Sequence, residues 1–260
     1  MKRLLIFINL CLMALGASAQ TTPKTIVLVH GAFGSALAWY KVVPLLKSKG
    51  YEVIAVTLPG HGPDTASYAS LTMASYAHAV EKAIGQRQNV LLVGHSMGGM
   101  VISQVAEDIP GQIHELIYLT AFLPKSGEAL ADEIAKDSGV NLSQYMKTDE
   151  KSYSVNIDTS KFREIFAGDS SPAFVSFIVK SVKAEPSIPL QSKVVLTADR
   201  FGSVKKVYIY AINDKAISYQ LQQAMAKQWQ VSKVYSLTSS HTPMLSQPDQ
   251  LAAIILQEAR

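Results

Sequence analysis

The sequence predicts an α/β fold in which a mostly parallel, doubly wound sheet of six strands carries helices on both faces. Short apolar runs rich in Val, Ile and Leu alternate with helical patterns, which is the arrangement of βαβ units. The runs are apolar throughout, as expected for strands that are buried on both faces. A chain of 260 residues with 48% hydrophobic residues is long enough to bury one large core.

The six strands are predicted at Thr25–Val29, Tyr51–Val56, Asn89–Val93, Leu116–Leu119, Lys206–Tyr210 and Ser232–Leu237. Helical patterns follow them, with Gly85 as the end signal of the helix after the second strand. Pro44 argues against a single unbroken helix after the first strand. Because ligands of such sheets bind at the carboxyl ends of the strands, we expect the functional residues in the loops that leave those ends.

The alternation of strand and helix stops at Pro124 and resumes at residue 200. Residues 125–199 are more polar, so we expect an inserted, largely helical cap, with residues 20–124 and 200–260 forming the core of the same domain. Helical patches are predicted at 127–137, 160–167 and 171–183. Two mixtures of acidic and basic residues, 125–137 and 147–164, are predicted to be solvated surface.

The first 19 residues have the pattern of a bacterial signal peptide. Lys2 and Arg3 precede an apolar run of about twelve residues, and Ala17-Ser18-Ala19 follows as a cleavage site. A membrane span needs roughly twenty apolar residues, so no stable membrane insertion is expected after the leader is removed. The sequence therefore predicts export to the periplasm or secretion.

Composition excludes several classes of function. Cys11 is the only cysteine and lies in the leader, so the exported chain is expected to have no disulfide, thiol nucleophile or thiolate metal site. Loss of Lys2 and Arg3 lowers the formal charge from +4 to +2, and no basic cluster indicates a nucleic-acid partner. The sequence indicates no particular oligomeric state.

Gly94-His95-Ser96-Met97-Gly98 lies between the third strand and a helix. A G-x-S-x-G pattern in this context is typical of a nucleophile elbow, in which the serine sits on a strained, tight turn. The two glycines allow strand and helix to approach closely. We therefore predict Ser96 as a catalytic nucleophile.

A serine hydroxyl needs a base, and the base needs an orienting acid, in the chain order Ser, Asp or Glu, His for this type of sheet. His241 is the only one of six histidines that lies well after Ser96. Asp214 follows the fifth strand, whereas the competing Asp199 precedes it and would lie at the wrong end of the sheet. His30 is expected to have a structural role in preference to acting as a base.

The tetrahedral oxyanion requires two preorganised donors. The backbone N–H of Met97, directly after the nucleophile, is the first. The second is expected in the loop after the first strand, at Ala32, where Gly31 allows the loop to fold close to the elbow.

These motifs resemble the α/β-hydrolases, and more narrowly the plant methylesterase and hydroxynitrile lyase group with its bacterial esterase relatives. The matching stretches are Val27–Ala32, Trp39–Lys41, Leu91–Gly99, Ala121–Pro124, Val207–Ile209 with Asp214–Lys215, and His241–Leu245. The cap matches poorly. The resemblance implies hydrolysis of small carboxylic esters without a cofactor or metal, in a compact apolar pocket under the cap. Phe33, Phe122 and Leu123 are pocket candidates by position, with core packing as the alternative.

Two positions separate the chemistries of this group. Plant-type hydroxynitrile lyases have Thr or Asn at the place of Gly31, and many have Lys at the place of Thr242. The resemblance therefore implies a serine esterase that works through an acyl-enzyme. Cyanohydrin cleavage, a non-catalytic ligand receptor, and lactone or amide hydrolysis remain as alternatives. Activity is expected to fall as the pH drops through about 6–7, because a protonated His241 accepts no proton.

Overall fold

The computed structural model describes residues 24–260, so the predicted leader lies outside the described residues. Nine strands are described: β1 (Thr25–Val29), β2 (Glu52–Val56), β3 (Val90–His95), β4 (Ile113–Leu119), β5 (Met146–Asp149), β6 (Ser154–Ile157), β7 (Glu185–Pro186), β8 (Lys205–Ala211) and β9 (Lys233–Leu237). Six of them form a parallel sheet in the order β2-β1-β3-β4-β8-β9, which confirms the predicted fold class.

Alternate residues of the central strands face two separate apolar layers. In β1, Val27 and Val29 pack into one layer, and Ile26 and Leu28 pack into the other. All four side chains are fully buried. A strand buried on both faces needs no polar alternation, which is why its sequence is a continuous apolar run.

Ten α-helices are described, and they cover both faces of the sheet. They are α1 (Val42–Lys47), α2 (Met73–Ile84), α3 (Gly98–Asp108), α4 (Leu130–Lys136), α5 (Phe162–Phe166), α6 (Pro172–Val179), α7 (Ser187–Gln191), α8 (Tyr219–Gln228), α9 (Pro243–Ser246) and α10 (Pro248–Glu258). Among the described residues, no helix is long and apolar enough to cross a membrane.

Local sequence signals set several of these helix ends. Thr72 and Ser75 exchange side-chain and backbone hydrogen bonds at the start of α2, and Gly85 ends that helix at φ +59°. The helical pattern around Pro44 is divided into a 3₁₀ turn, Ala36–Trp39, and α1. Pro44 lies in the first turn of α1, where its missing N–H costs no helical hydrogen bond.

Between β4 and β8 lies the insertion of residues 125–199, here called the cap. It contains α4 to α7 and also a three-stranded antiparallel sheet of β5, β6 and β7, which the sequence did not predict. The prediction of a solvated surface over 147–164 is wrong in part, because Val155, Ile157 and Phe162 are buried. These apolar side chains face the core while the charged residues between them stay exposed.

Candidate active site

The predicted elbow lies at the carboxyl end of β3, at the centre of the sheet. Ser96 has φ +54°, a left-handed conformation that is strained for a residue with a side chain. A β-carbon on Gly94 would lie 2.6 Å from the carbonyl oxygen of Gly98, and one on Gly98 would lie 2.8 Å from that of Val29. Only glycine therefore fits at positions 94 and 98. The turn presents Ser96 to a pocket under the cap, with a helix start behind it.

Asp214 and His241 meet above the ends of β8 and β9, and both are almost fully buried. His241 Nδ1 donates to Asp214 Oδ2 at 2.6 Å. The other carboxylate oxygen accepts the backbone N–H groups of Ala216, at 2.6 Å, and Ile217, at 3.0 Å. The Thr120 hydroxyl donates to Oδ2 as well. This network fixes the carboxylate and, with the proton on Nδ1, leaves Nε2 of His241 unprotonated.

The loop that carries His241 is held from two sides. From the core, His95 Nε2 donates to the carbonyl oxygen of His241 at 2.8 Å, and burial, reinforced by the nearby His241, holds the pKa of His95 well below its usual range. From the cap, the Asp169 carboxylate accepts the N–H of Ser240 at 3.1 Å and also its hydroxyl. The cap therefore contributes directly to the position of the histidine.

Thr242, on the other side of His241, completes this attachment. Its hydroxyl donates to the carbonyl oxygen of Phe166 at 2.8 Å, and the Phe166 ring lies 5.5 Å from the imidazole between centroids. The residue after the histidine is thus a structural hydrogen-bond donor to the cap.

Ala32 and Met97, the predicted oxyanion donors, both line the same pocket as Ser96 and His241. Gly31 lies so close to the elbow that a β-carbon there would be 2.7 Å from the β-carbon of Ser96. The loop after β1 therefore packs directly against Ser96.

His30, at the start of this loop, has both ring nitrogens engaged. Its Nε2 accepts the N–H of Leu58 at 3.1 Å, so its Nδ1 carries the proton and donates to the carbonyl oxygen of Gly31 at 2.7 Å. Burial, together with the charge of His61, lowers the pKa of His30 to about 3. A neutral imidazole with no free nitrogen is a structural group, as the sequence indicated.

The pocket is lined mainly by apolar side chains. Phe33 and Phe122 line it, whereas Leu123 does not: it is fully buried in the core, and its N–H faces the sulfur of Met225 at 3.3 Å. None of the described residues that line the pocket is Lys, Arg, Asp or Glu. The space suits an uncharged, apolar ligand.

The sequence missed much of the pocket wall, which the cap supplies. The apolar lining residues from the cap are Leu130, Ile134, Leu142, Met146, Phe162, Phe166, Ile178, Val182 and Leu190. The apolar positions of the predicted helical patches were a signal for six of these residues, whereas Leu142, Met146 and Leu190 lie outside those patches. Met244, three residues after His241, also lines the pocket. Asp199, the competing acid, is exposed and lies before β8, at the opposite end of the sheet.

Comparison with known proteins agrees with this architecture. Residues 26–254 match the Alpha/beta hydrolase family. Putative methylesterase 13, chloroplastic, of Arabidopsis thaliana is 30% identical over 90% of this chain, which spans 56% of that relative's length. The pyrethroid hydrolase of Sphingobium wenxiniae is 30% identical over 90% of this chain and 87% of its own.

A solved structure gives the same result. An extracellular α/β-hydrolase from a Paenibacillus species, described as sharing structural and functional homology with tobacco salicylic acid binding protein 2, superposes with a TM-score of 0.81. It is 26% identical, over 92% of this chain and 100% of that one. The resemblance found from the motifs is thereby confirmed, and the chain belongs to the α/β-hydrolase family.

Proposed function

We propose that this chain is a serine esterase that hydrolyses small, uncharged carboxylic esters. The observation that carries the proposal is the buried Asp214–His241 hydrogen bond, 2.6 Å long, made by a histidine that lines the same apolar pocket as Ser96. The relatives named as methylesterase and pyrethroid hydrolase support ester chemistry. The absence of charged residues among the described lining residues supports an uncharged substrate.

In the proposed reaction, His241 Nε2 takes the proton of Ser96 as its oxygen attacks the ester carbonyl. The carbonyl oxygen becomes an oxyanion, which accepts hydrogen bonds from the N–H groups of Ala32 and Met97. His241 then gives its proton to the leaving alcohol, and the acyl group stays on Ser96. Water enters, loses a proton to His241 and releases the acid by the reverse route. Asp214 stabilises the imidazolium at each step.

Two contacts favour hydrolysis over cyanohydrin cleavage. A side chain at Gly31, such as the Thr or Asn of plant-type lyases, would collide with Ser96 in this arrangement. Thr242 contributes no cation near a leaving group, and its hydroxyl is bound to Phe166. Cyanide release from mandelonitrile above the solvent background would contradict this choice.

The central test is the Ser96→Ala variant assayed on nitrophenyl butyrate. We expect kcat to fall by roughly 10⁴–10⁶-fold, because no covalent intermediate can form. Ser48→Ala is the matched control: this exposed hydroxyl donates within α1, away from the pocket, and its loss should leave the rate unchanged. Equal rates for Ser96→Ala and the unaltered protein would exclude the proposal, and tight ester binding without turnover would indicate a receptor. A panel of lactones and amides would define the preferred acyl compound.

We also propose that the protein is exported, with residues 1–19 removed as a signal peptide and residues 125–199 serving as a cap on the catalytic core. The basic, apolar and small-residue order of the leader supports export. Expression of the full chain in a Gram-negative bacterium, followed by fractionation and N-terminal sequencing, should give a periplasmic or secreted protein that begins at Gln20. A cytoplasmic protein that keeps residues 1–19 would contradict it.

A further inference from the structure

Glu185 is a buried carboxylate that the proposed reaction does not use. It lies in β7 of the cap, and its side chain is fully inaccessible to solvent. Three donors from the core reach it: His61 Nε2 at 2.7 Å, the backbone N–H of Phe33 at 2.8 Å and the Tyr76 hydroxyl at 3.0 Å. An isolated buried carboxylate is very costly, so a fully paired one has a specific environment built around it.

One of these donors belongs to the loop after β1 that carries Gly31, Ala32 and Phe33, here called the oxyanion loop. Phe33 directly follows Ala32 and has φ +64°, a left-handed conformation that is unfavourable for a bulky residue. The charged hydrogen bond from its N–H to Glu185 opposes that strain. Because a peptide unit is planar, holding the N–H of Phe33 also fixes the carbonyl side of Ala32. The N–H of Ala32 lies in the preceding peptide unit, which is joined to this fixed unit through the Cα of Ala32, so a contact with the cap restricts its orientation as well.

His61 supplies the counter-charge. Its Nε2 lies 2.7 Å from Glu185 and its Nδ1 lies 3.0 Å from the carbonyl oxygen of Pro59. Both acceptors take a proton from the ring, so the geometry fits an imidazolium. Burial alone would disfavour the charged ring, but the carboxylate of Glu185 outweighs it and raises the pKa of His61. The pair is thereby close to neutral as a unit, and it adds little net negative charge near a developing oxyanion.

We propose that the buried Glu185–His61 ion pair positions the oxyanion loop, with Glu185 acting as a positioning residue for the N–H of Ala32. Glu185, which does not line the pocket, then takes part in transition-state stabilisation without touching the substrate. This inference rests on the proposed esterase function, since it needs an oxyanion to be stabilised.

The test compares Glu185→Ala and Glu185→Gln with the unaltered protein on nitrophenyl butyrate and on an aryl trifluoromethyl ketone, which forms a tetrahedral adduct with serine. Loss of one oxyanion donor costs about 10²–10³-fold in kcat, so a misplaced donor in Glu185→Ala should cost about 30–100-fold. KM should change less than threefold, and affinity for the ketone should fall with kcat. Glu185→Gln keeps an acceptor for Phe33, so it should recover most of the lost rate. Tyr68→Phe, which loses a hydrogen bond to Ala184 only one residue away, is the control and should keep the original kcat.

A second variant guards against misfolding caused by a lone buried charge. His61→Met combined with Glu185→Met removes the pair as a unit, and such apolar replacements are often neutral for stability. It should show the same loss of kcat and ketone affinity as Glu185→Ala. If the double variant or Glu185→Ala keeps the original kcat and ketone affinity while the unaltered protein is active, the inference is overturned and the function stands. An unaltered protein that neither hydrolyses the ester nor binds the ketone overturns both.

Discussion

Replacing Gly31 with Ala adds one methyl group at the close approach between the oxyanion loop and Ser96, the proposed nucleophile. The new carbon would lie 2.7 Å from the β-carbon of Ser96 and 3.0 Å from Nδ1 of His95. Both neighbours are buried, and Ser96 is held in its strained turn by the strand and helix around it. Neither neighbour has a flexible end that can turn away.

The geometry sets the size of the expected effect. Carbon atoms without a bond between them prefer to lie about 3.5–4.0 Å apart, so the 2.7 Å separation has to increase by about 1 Å. Misplacement of a reacting group by about 1 Å can cost about 10²-fold in rate. We therefore expect Gly31→Ala to lower kcat about 10²-fold, with a loss of about 1–3 kcal/mol in unfolding free energy from overpacking.

The assay is steady-state hydrolysis of nitrophenyl butyrate, combined with urea unfolding of the same preparation. Gly111→Ala is the matched control, because a β-carbon at Gly111 meets nothing within 4 Å and the residue is exposed. The control should keep both the rate and the stability of the unaltered protein.

A folded Gly31→Ala protein with kcat within threefold of the original would refute this reasoning. It would mean that the loop after β1 can move away from Ser96 without disturbing the donor at Ala32. Gly31 would then no longer distinguish ester hydrolysis from cyanohydrin cleavage in this fold.

Two further predictions concern protons. In Asp214→Asn, the amide oxygen can accept the same two backbone N–H groups as the carboxylate, so the NH₂ group must face His241 Nδ1 and force the proton onto Nε2. We expect kcat on nitrophenyl butyrate to fall about 10⁴-fold at unchanged thermal stability. A fall in kcat of less than tenfold would contradict this tautomer. Burial, reinforced by the charge of Glu258, raises the pKa of Glu115 to about 7, so its stabilising contribution is complete below the unfolded pKa and is lost as the pH rises through 7. Solvent screening leaves about 1–2 kcal/mol of the roughly 3 kcal/mol that the full shift implies. Between pH 5 and pH 8, the unfolding free energy measured in urea should therefore decrease less for Glu115→Gln than for the unaltered protein. Equal decreases would exclude the effect.

The central strands were predictable because a strand that is buried on both faces has apolar residues at nearly every position, which gives a continuous apolar run. The extension of β4 back to Ile113 was not, since His114 and Glu115 interrupt the apolar pattern and are accommodated only by the folded surroundings. The strands of the cap were missed for a related reason: β5 is Met-Lys-Thr-Asp, a polar segment that becomes a strand by pairing with β6.

The candidate nucleophile, base and acid were predictable because topology fixes which loops meet, and few residues of the required type occur in those loops. The groups that hold them were not. Glu185 and Phe33 are 152 residues apart, and Asp169 and Ser240 are 71 apart. Neither carboxylate stands in a recognisable motif, so only the folded chain reveals its partner.

The attachment of the cap to the residues on both sides of His241 limits how this protein can be re-engineered. Ser240 donates a hydrogen bond to Asp169 of the cap, and Thr242 donates one to the carbonyl oxygen of Phe166. A cap taken from another family member to change specificity would also replace those two supports of the histidine. Grafts that keep residues 166–169 should therefore retain turnover more often than grafts of the whole segment, even where the new pocket is equally well formed.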